Sequence, residues 1–168
     1  MSGLAFKAST AARISLVGAG GLGNPAALGL LSDWSNETPL ELSIFDPDIV
    51  ELSNLPRQIL FTEARVGKPK AEALADALRE RLPGRSELRI QAHSTTITAE
   101  NIQGLLGQSH YIIDATDSVD FKFLLNDFCV SEDIGFCYGG AVGYGAQLLA
   151  VSPFRPRGAC LRCLFGDF

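Results

Sequence analysis

Glycines, acids and bases at regular spacing set the first question. Gly18, Gly20 and Gly23, with Gly21 between them, make up "GAGGLG", the G-x-G-x-x-G pattern, directly after the apolar run "ARISLV". The first glycine of such a turn permits a sharp bend, the second admits a phosphate close to the backbone, and the third lets helix pack on strand. The helix that follows adds unpaired N–H groups and the positive end of its dipole. Asp46 ends the next apolar run about twenty residues on, the usual place for an acceptor of ribose hydroxyls. These residues point to a nucleotide. The stretch after that acid, "DPDIVELSNLPRQILF", is unusual for a plain dinucleotide site, because Asp48, Asn54, Arg57 and Gln58 crowd into it and Lys70 follows in "GKPKAEA". Arg57 offers a planar fork to phosphate oxygens and Lys70 a point charge. Taken singly, they read equally well as a solvated loop charge and an exposed first turn of a helix.

The elements that must position these groups follow from periodicity. "ARISLV" is a buried strand, and "LGNPAALGLLSDW" has helical spacing with Pro25 in its first turn, where a missing N–H is tolerated. "PLELSIFD" reads as a second strand, and "KPKAEALADALRERLP" as an amphipathic helix stopped by Pro83-Gly84. A third strand, "ELRIQAH", precedes a short helix, "TAENIQGLLG", with Thr98 as its expected cap. "HYIIDATDS" is a fourth strand with acids at its end, and "VDFKFLLNDFCVSED" a further helix. The glycine-broken "GFCYGGAVGYGAQLLAVSPF" reads as a hairpin. Strands alternating with helices predict an α/β fold, a Rossmann-like, doubly wound and mostly parallel sheet ending in a glycine-rich C-terminal hairpin. Ligands of such sheets bind beyond the strands' carboxyl ends, where the glycine turn, Asp46 and the run Asp114 to Asp117 all fall.

Composition narrows the classes. The chain has 168 residues, 46% hydrophobic and 20% charged, which suits one globular domain over residues 1–168. A net charge of −5 supplies no basic footprint for nucleic acid. No apolar run reaches the roughly 18 residues of a membrane span, and "MSGLAFKAST" lacks a secretory core, so a cytoplasmic address is expected. Cys129 and Cys137 read as small buried hydrophobes. Cys160 and Cys163, in "CLRC", have the spacing of half a tetrahedral zinc site, of a redox dithiol, or of a structural remnant. His93 and His110 sit in strand-like contexts and match nothing catalytic.

Six short matches in order, "VGAGGLGNPAA", "DPDIVELSNLPRQILF", "VGKPKAEA", "DATDS", "GGAVGYGAQL" and "GACLRC", resemble the ThiF/MoeB/HesA family, prokaryotic relatives of ubiquitin-activating enzymes. The resemblance implies adenylation of a carboxylate: its oxygen attacks the α-phosphorus of ATP and pyrophosphate leaves. By resemblance the glycine turn, Asp46 and Asp48 hold the nucleotide, Arg57 and Lys70 contact its phosphates, and Asn54 and Gln58 support them. Asp117, matching the second acid of D-x-T-D, then positions Mg²⁺ or the reacting groups, while Asp114 simply ends its strand. Lys122 stands where many members have arginine. The expected partner is a small ubiquitin-fold sulfur carrier with a Gly-Gly C-terminus, its tail approaching over "GGAVGYGAQ", and a homodimer through "LLNDFCV" and the apolar tail. Typical members also carry an N-terminal "R-Y-x-R-Q"-like segment and a longer C-terminal part with a second C-x-x-C, neither of which is found here. Two other readings stand beside this one. A non-catalytic nucleotide- or carrier-binding module would keep the same motifs, and an NAD-dependent oxidoreductase would leave Arg57 and Lys70 without a task.

Overall fold

A computed structural model describes residues 11–35, 38–152 and 158–166. Six strands form one sheet in the order β3-β2-β1-β4-β5-β6. They are β1 (Ala12–Val17), β2 (Leu40–Phe45), β3 (Leu88–His93), β4 (Tyr111–Asp114), β5 (Gly135–Val142) and β6 (Gly145–Val151). Strands β1 to β5 run parallel, and β6 returns antiparallel to β5. The helices are α1 (Gly23–Asp33), α2 (Lys70–Arg81), α3 (Ile102–Leu106), α4 (Val119–Ser131) and α5 (Leu161–Phe165). The mixed α/β architecture and its mostly parallel sheet are as the alternating apolar runs predict.

Alternation along the strands builds two cores. Ala12, Ile14 and Leu16 of β1 join Leu40, Leu42 and Ile44 of β2 under α1 and α2, with Leu31, Leu74 and Leu78 as fully buried contributors. The opposite face, with Val17, Phe45, Ile112 and Phe136, is covered by α3, α4 and α5 through Leu106, Leu125, Phe128 and Leu161. Period-two side chains make this possible, because a one-residue slip would exchange the two faces. Register then does the positioning. Val17 pairs with both Phe45 and Asp114, Phe45 with His93, and Asp114 with Tyr138. Strands β1 to β4 therefore end in one row, β5 runs on past it to Val142, and the next residue of β1, β2 or β4 lies on a common rim. Between β1 and β4 the chain reverses its direction of winding, the crevice where open α/β sheets bind ligands.

Two local expectations change, and one unassigned segment gains structure. The helix expected from Thr98 begins at Ile102; Asn101 precedes it and uses its side-chain oxygen to accept the Thr98 N–H at 2.8 Å, a tight turn that replaces the first helical turn. The segment between β2 and α2, for which the sequence reading assigned no element, holds 3₁₀ turns at Leu52–Arg57 and Glu63–Arg65. Within "LLNDFCV", Leu125, Asn126, Phe128 and Cys129 are buried against the sheet and α5, so that face of α4 is not open to a second copy. Tyr144 and Leu148 of the hairpin and Leu164 and Phe165 of α5 are among the exposed apolar side chains, as are Ile49, Leu52, Ile59 and Val66 between β2 and α2. The hairpin turns at Gly143 and Tyr144, with Gly143 at φ +59 and Val142 paired to Gly145. A left-handed glycine at the first of two loop positions suits the twist of the flanking strands. The end of "AVSPF" lies outside the described residues.

Candidate functional site

The turn after β1 is held by backbone packing. Gly18 has φ +94, and a Cβ there would sit 2.8 Å from the Ala115 carbonyl oxygen in the loop after β4. A Cβ on Gly23 would sit 1.9 Å from the carbonyl oxygen of Gly18. These two positions admit no side chain. Gly20 and Gly21 are roomier, with nearest approaches of 3.9 Å to Gln58 Nε2 and 3.4 Å to the Arg57 stem. Helix α1 begins without a side-chain cap and without an acid in its first turn. Asn24 gives its N–H to the Gly20 carbonyl at 3.0 Å and Pro25 has none, so an anion here would draw on the N–H groups of the turn before Asn24 and on the helix dipole.

Asp46 joins this turn to the segment after β2. It is buried, and its Oδ2 accepts the Ala19 N–H at 2.7 Å while Oδ1 accepts the Asp48 N–H at 2.9 Å. Each oxygen keeps a further lone pair for a ribose hydroxyl. Asp48 continues the chain of contacts. Its carbonyl accepts the Lys70 N–H at 2.8 Å, and its carboxylate pairs with Lys70 Nζ at 2.7 Å. Lys70 is not the exposed first residue of a helix. It is buried at the rim, held against a carboxylate that is itself 64% exposed.

Arg57 ends the first 3₁₀ turn with its stem against Gly21, and its guanidinium donates to Asn54 Oδ1. Asn54 in turn donates to Glu51 at 3.4 Å. Gln58 is buried beside Gly20, and its Oε1 finds no hydrogen bond among the described residues. The register of this segment against the glycine turn depends on a residue that the sequence reading passed over. Asn24 is fully buried; its Nδ2 donates to the carbonyls of Ala19 and Gly20 at 2.8 and 3.1 Å, and its Oδ1 accepts the Leu60 N–H at 2.9 Å. The signal was available, a polar side chain beside Gly23 on an otherwise apolar helical stripe. Asn24→Ala leaves the Leu60 N–H and the Ala19 carbonyl buried and unpaired, and we expect a loss of about 2 kcal/mol in urea unfolding. A loss below about 0.5 kcal/mol would show that water replaces the amide at that position.

At the end of β4 the acids take roles opposite in burial. Asp114 is buried, and its Oδ1 accepts both the N–H and the hydroxyl of Thr116, at 2.8 and 2.7 Å. Lys122 of α4 directs Nζ to Asp114 Oδ2 at 2.9 Å, the Thr116 carbonyl at 2.8 Å and the Gly139 carbonyl at 3.1 Å, with the Tyr138 ring 5.2 Å away. An ammonium has three donors, and all three are used within the protein. Lys122 therefore clamps the loop Ala115–Ser118 between α4 and β5 and is not a phosphate ligand. Ser118 caps α4 by accepting the Phe121 N–H at 3.2 Å. Asp117, between clamp and cap, is exposed on the rim.

The rim thus brings together Gly18 to Gly23, Asp46, Asp48, Asn54, Arg57, Gln58 and Lys70 through direct contacts, with Asp117 on the adjoining loop. Cys160 and Cys163 lie apart, packed through α5 on α4. Among the described residues there is no group of three or more His, Cys, Asp or Glu placed for a metal ion. Their Sγ atoms lie 3.7 Å apart, a spacing at which the pair would supply two of the four ligands of a tetrahedral zinc site.

A ThiF family model matches residues 5–168. The adenylyltransferase and sulfurtransferase MOCS3 of Culex quinquefasciatus is 38% identical over 154 residues, 92% of this chain and 33% of that protein. The SAMP-activating enzyme E1 of Haloferax volcanii is 35% identical over 92% of this chain and 54% of its own length. The sulfur carrier protein ThiS adenylyltransferase of Escherichia coli is 32% identical, over 92% and 59% respectively. The chain thus spans from a third to three-fifths of these relatives. A crystal structure of E. coli MccB with ATP superposes with a TM-score of 0.79 over 93% of this chain and 44% of MccB, at 24% identity, a likeness of fold. E. coli tRNA N6-threonylcarbamoyladenosine dehydratase, TcdA, in complex with ATP, superposes with a TM-score of 0.68 at 33% identity, over 80% of this chain and 53% of TcdA. Matched along nearly its whole length, the chain belongs to the ThiF family.

Proposed function

We propose that this chain is an ATP- and Mg²⁺-dependent adenylyltransferase domain acting on the C-terminal carboxylate of a small ubiquitin-fold sulfur carrier. The observation that carries the reading is the contiguity of the rim. An uncapped helix N-terminus, a ribose-height carboxylate and two cations are tied to one another within a few residues of the β1–β4 crevice. In this arrangement the ribose lies on Asp46 and the triphosphate runs over Gly20 and Gly21 toward Arg57 and Lys70. The carrier carboxylate attacks the α-phosphorus and pyrophosphate departs. Such a transfer needs charge stabilisation and alignment more than covalent help. Lys70 and Arg57 exchange Asp48 and Asn54 for phosphate oxygens as the nucleotide arrives. Magnesium would supply further neutralisation of the triphosphate. Asp117 suits it as a single hard ligand, since Mg²⁺ is commonly held by one or two carboxylates together with phosphate oxygens. Glycines of β5 and the hairpin leave room for an extended carrier tail, and a homodimer would use the exposed apolar side chains of the hairpin and α5.

The names of the relatives support this reading: two are adenylyltransferases by name, and one is a SAMP-activating enzyme. Carrier-dependent exchange of labelled pyrophosphate into ATP tests it. We expect Arg57→Ala and Lys70→Ala each to lower exchange by about 100- to 1000-fold, the scale seen when one charge-stabilising donor is removed. Exchange that is absent with every carrier, while ATP still binds, would leave a nucleotide- or carrier-binding module. Tighter binding of NAD than of ATP-Mg would favour an oxidoreductase instead.

A further inference from the structure

Among the described residues, every buried side-chain nitrogen or oxygen but one has a hydrogen-bond partner. Asn24, Asp46, Asp114, Lys122 and Asn126 are all buried and all bonded within the chain. The exception is Oε1 of Gln58, a residue that is 1% exposed. Its backbone is engaged by its own segment: the N–H donates to the Leu55 carbonyl at 3.1 Å, and the carbonyl accepts the Phe61 N–H at 2.9 Å. The side-chain amide therefore plays no part in closing that turn. A buried acceptor left unpaired destabilises a fold, whereas an apolar side chain of the same shape does not. Stability alone does not account for an amide here.

Three consecutive residues of the glycine turn meet three different groups. The Ala19 N–H reaches Asp46 Oδ2 at 2.7 Å. A Cβ on Gly20 would face Gln58 Nε2 at 3.9 Å, and one on Gly21 would face Arg57 Cγ at 3.4 Å. The order along the turn is thus carboxylate, amide, guanidinium. Gly20 is itself fixed, its carbonyl accepting from the Asn24 N–H at 3.0 Å and from Asn24 Nδ2 at 3.1 Å. It carries no side chain to cover the amide. A nucleotide whose ribose lies on Asp46, and whose outer phosphates reach Arg57 and Lys70, places its α-phosphate between them, at Gly20.

We propose that Gln58 is a phosphate ligand in its own right, its Nε2 donating to a non-bridging oxygen of the α-phosphate. The inference rests on the nucleotide reading above and gives Gln58 a contact of its own, beyond supporting Arg57. Ionised phosphate oxygens only accept, and an amide nitrogen has two N–H donors. The amide is neutral, so it stays buried without the counter-ion that a lysine or arginine at the same depth requires. Rotation about the last side-chain torsion has a broad, two-fold profile. With Oε1 unpaired, no protein group fixes that torsion from the oxygen end, and the anion selects the orientation that presents Nε2. The α-phosphorus is the atom attacked in the proposed transfer, so the same donor meets the charge that develops there.

AMP carries the α-phosphate alone and adenosine carries none, so the two ligands isolate the contact. Each is titrated into the isotope-labelled chain and followed by NMR shifts. Gln58→Met keeps the length and removes both polar ends. It should weaken AMP about 10- to 100-fold and leave adenosine within about twofold, the scale for one hydrogen bond to a charged group. Its urea midpoint should equal or exceed the parent's, because the orphan oxygen is gone. Gln58→Glu keeps the shape but opposes the anion with a second negative charge, and should weaken AMP further. In the parent, AMP should shift the Gln58 carboxamide resonance and adenosine should not. Equal losses for AMP and adenosine, or a lower urea midpoint with AMP binding unchanged, would make Gln58 structural and overturn the proposal. A parent chain that binds neither AMP, adenosine nor ATP overturns the nucleotide reading and this inference together. The AMP contrast without carrier-dependent exchange overturns carrier adenylation alone and leaves the Gln58 contact standing.

Discussion

Lys122→Met should cost about 3–5 kcal/mol in urea unfolding, the scale for removing one partner of a buried ion pair. Methionine keeps the length and the apolar stem, so packing is nearly preserved. What disappears is the donor to three acceptors: Asp114 Oδ2, the Thr116 carbonyl and the Gly139 carbonyl. The side chain of Asp114 has no solvent exposure, and its charge would be left uncompensated. Adding Asp114→Asn removes that charge, and the double variant should recover part of the loss. Because the clamp also sets the loop bearing Asp117, nucleotide exchange should fall further than stability predicts at temperatures where the variant is folded. A loss below about 1 kcal/mol would mean that water reaches this pair and that Lys122 behaves as a surface charge.

Gly23→Ala and Gly20→Ala should separate the structural half of the glycine turn from its binding half. At Gly23 the new methyl would be 1.9 Å from a backbone oxygen. Neither partner is a flexible side-chain end, so α1 must move off β1. We expect about 3 kcal/mol or more of destabilisation, at the upper end for overpacking. At Gly20 the nearest atom would be Gln58 Nε2 at 3.9 Å, and the backbone is not left-handed. Stability should stay within about 1 kcal/mol of the parent, since alanine also restricts the unfolded chain. ATP affinity, read by calorimetry, should nonetheless drop at least about tenfold, because the methyl occupies the space through which a phosphate meets the backbone. Normal ATP binding by Gly20→Ala would remove the phosphate from this turn. Equal destabilisation by both substitutions would make all the glycines structural.

Much of this protein was legible in its sequence. Periodicity placed β1, α1, β2, α2, β3, β4 and α4, because each presents one apolar face at a spacing of two or near 3.6 residues. Glycine spacing marked the turn, and the order of six motifs pointed to the family to which the chain belongs. Where local chemistry competed with periodicity, the reading was less secure. Asn101 folds back on Thr98 and shortens α3, and the 3₁₀ turns around Arg57 have no apolar stripe to announce them.

Residue types and spacing by themselves determined which strand ends carry acids and glycines, and hence that a nucleotide rim was to be expected. Only the tertiary structure decided how those groups are held. Lys70 as exposed helix start or buried ammonium, Asp114 as strand end or clamp, Asn24 as helix filler or staple: each depends on partners between 8 and 36 positions away or on a backbone approach such as Gly18 to Ala115. The reason is physical. A polar side chain's role is set by which donors and acceptors surround it once water is excluded, and those neighbours are chosen by strand register and helix docking rather than by adjacent sequence.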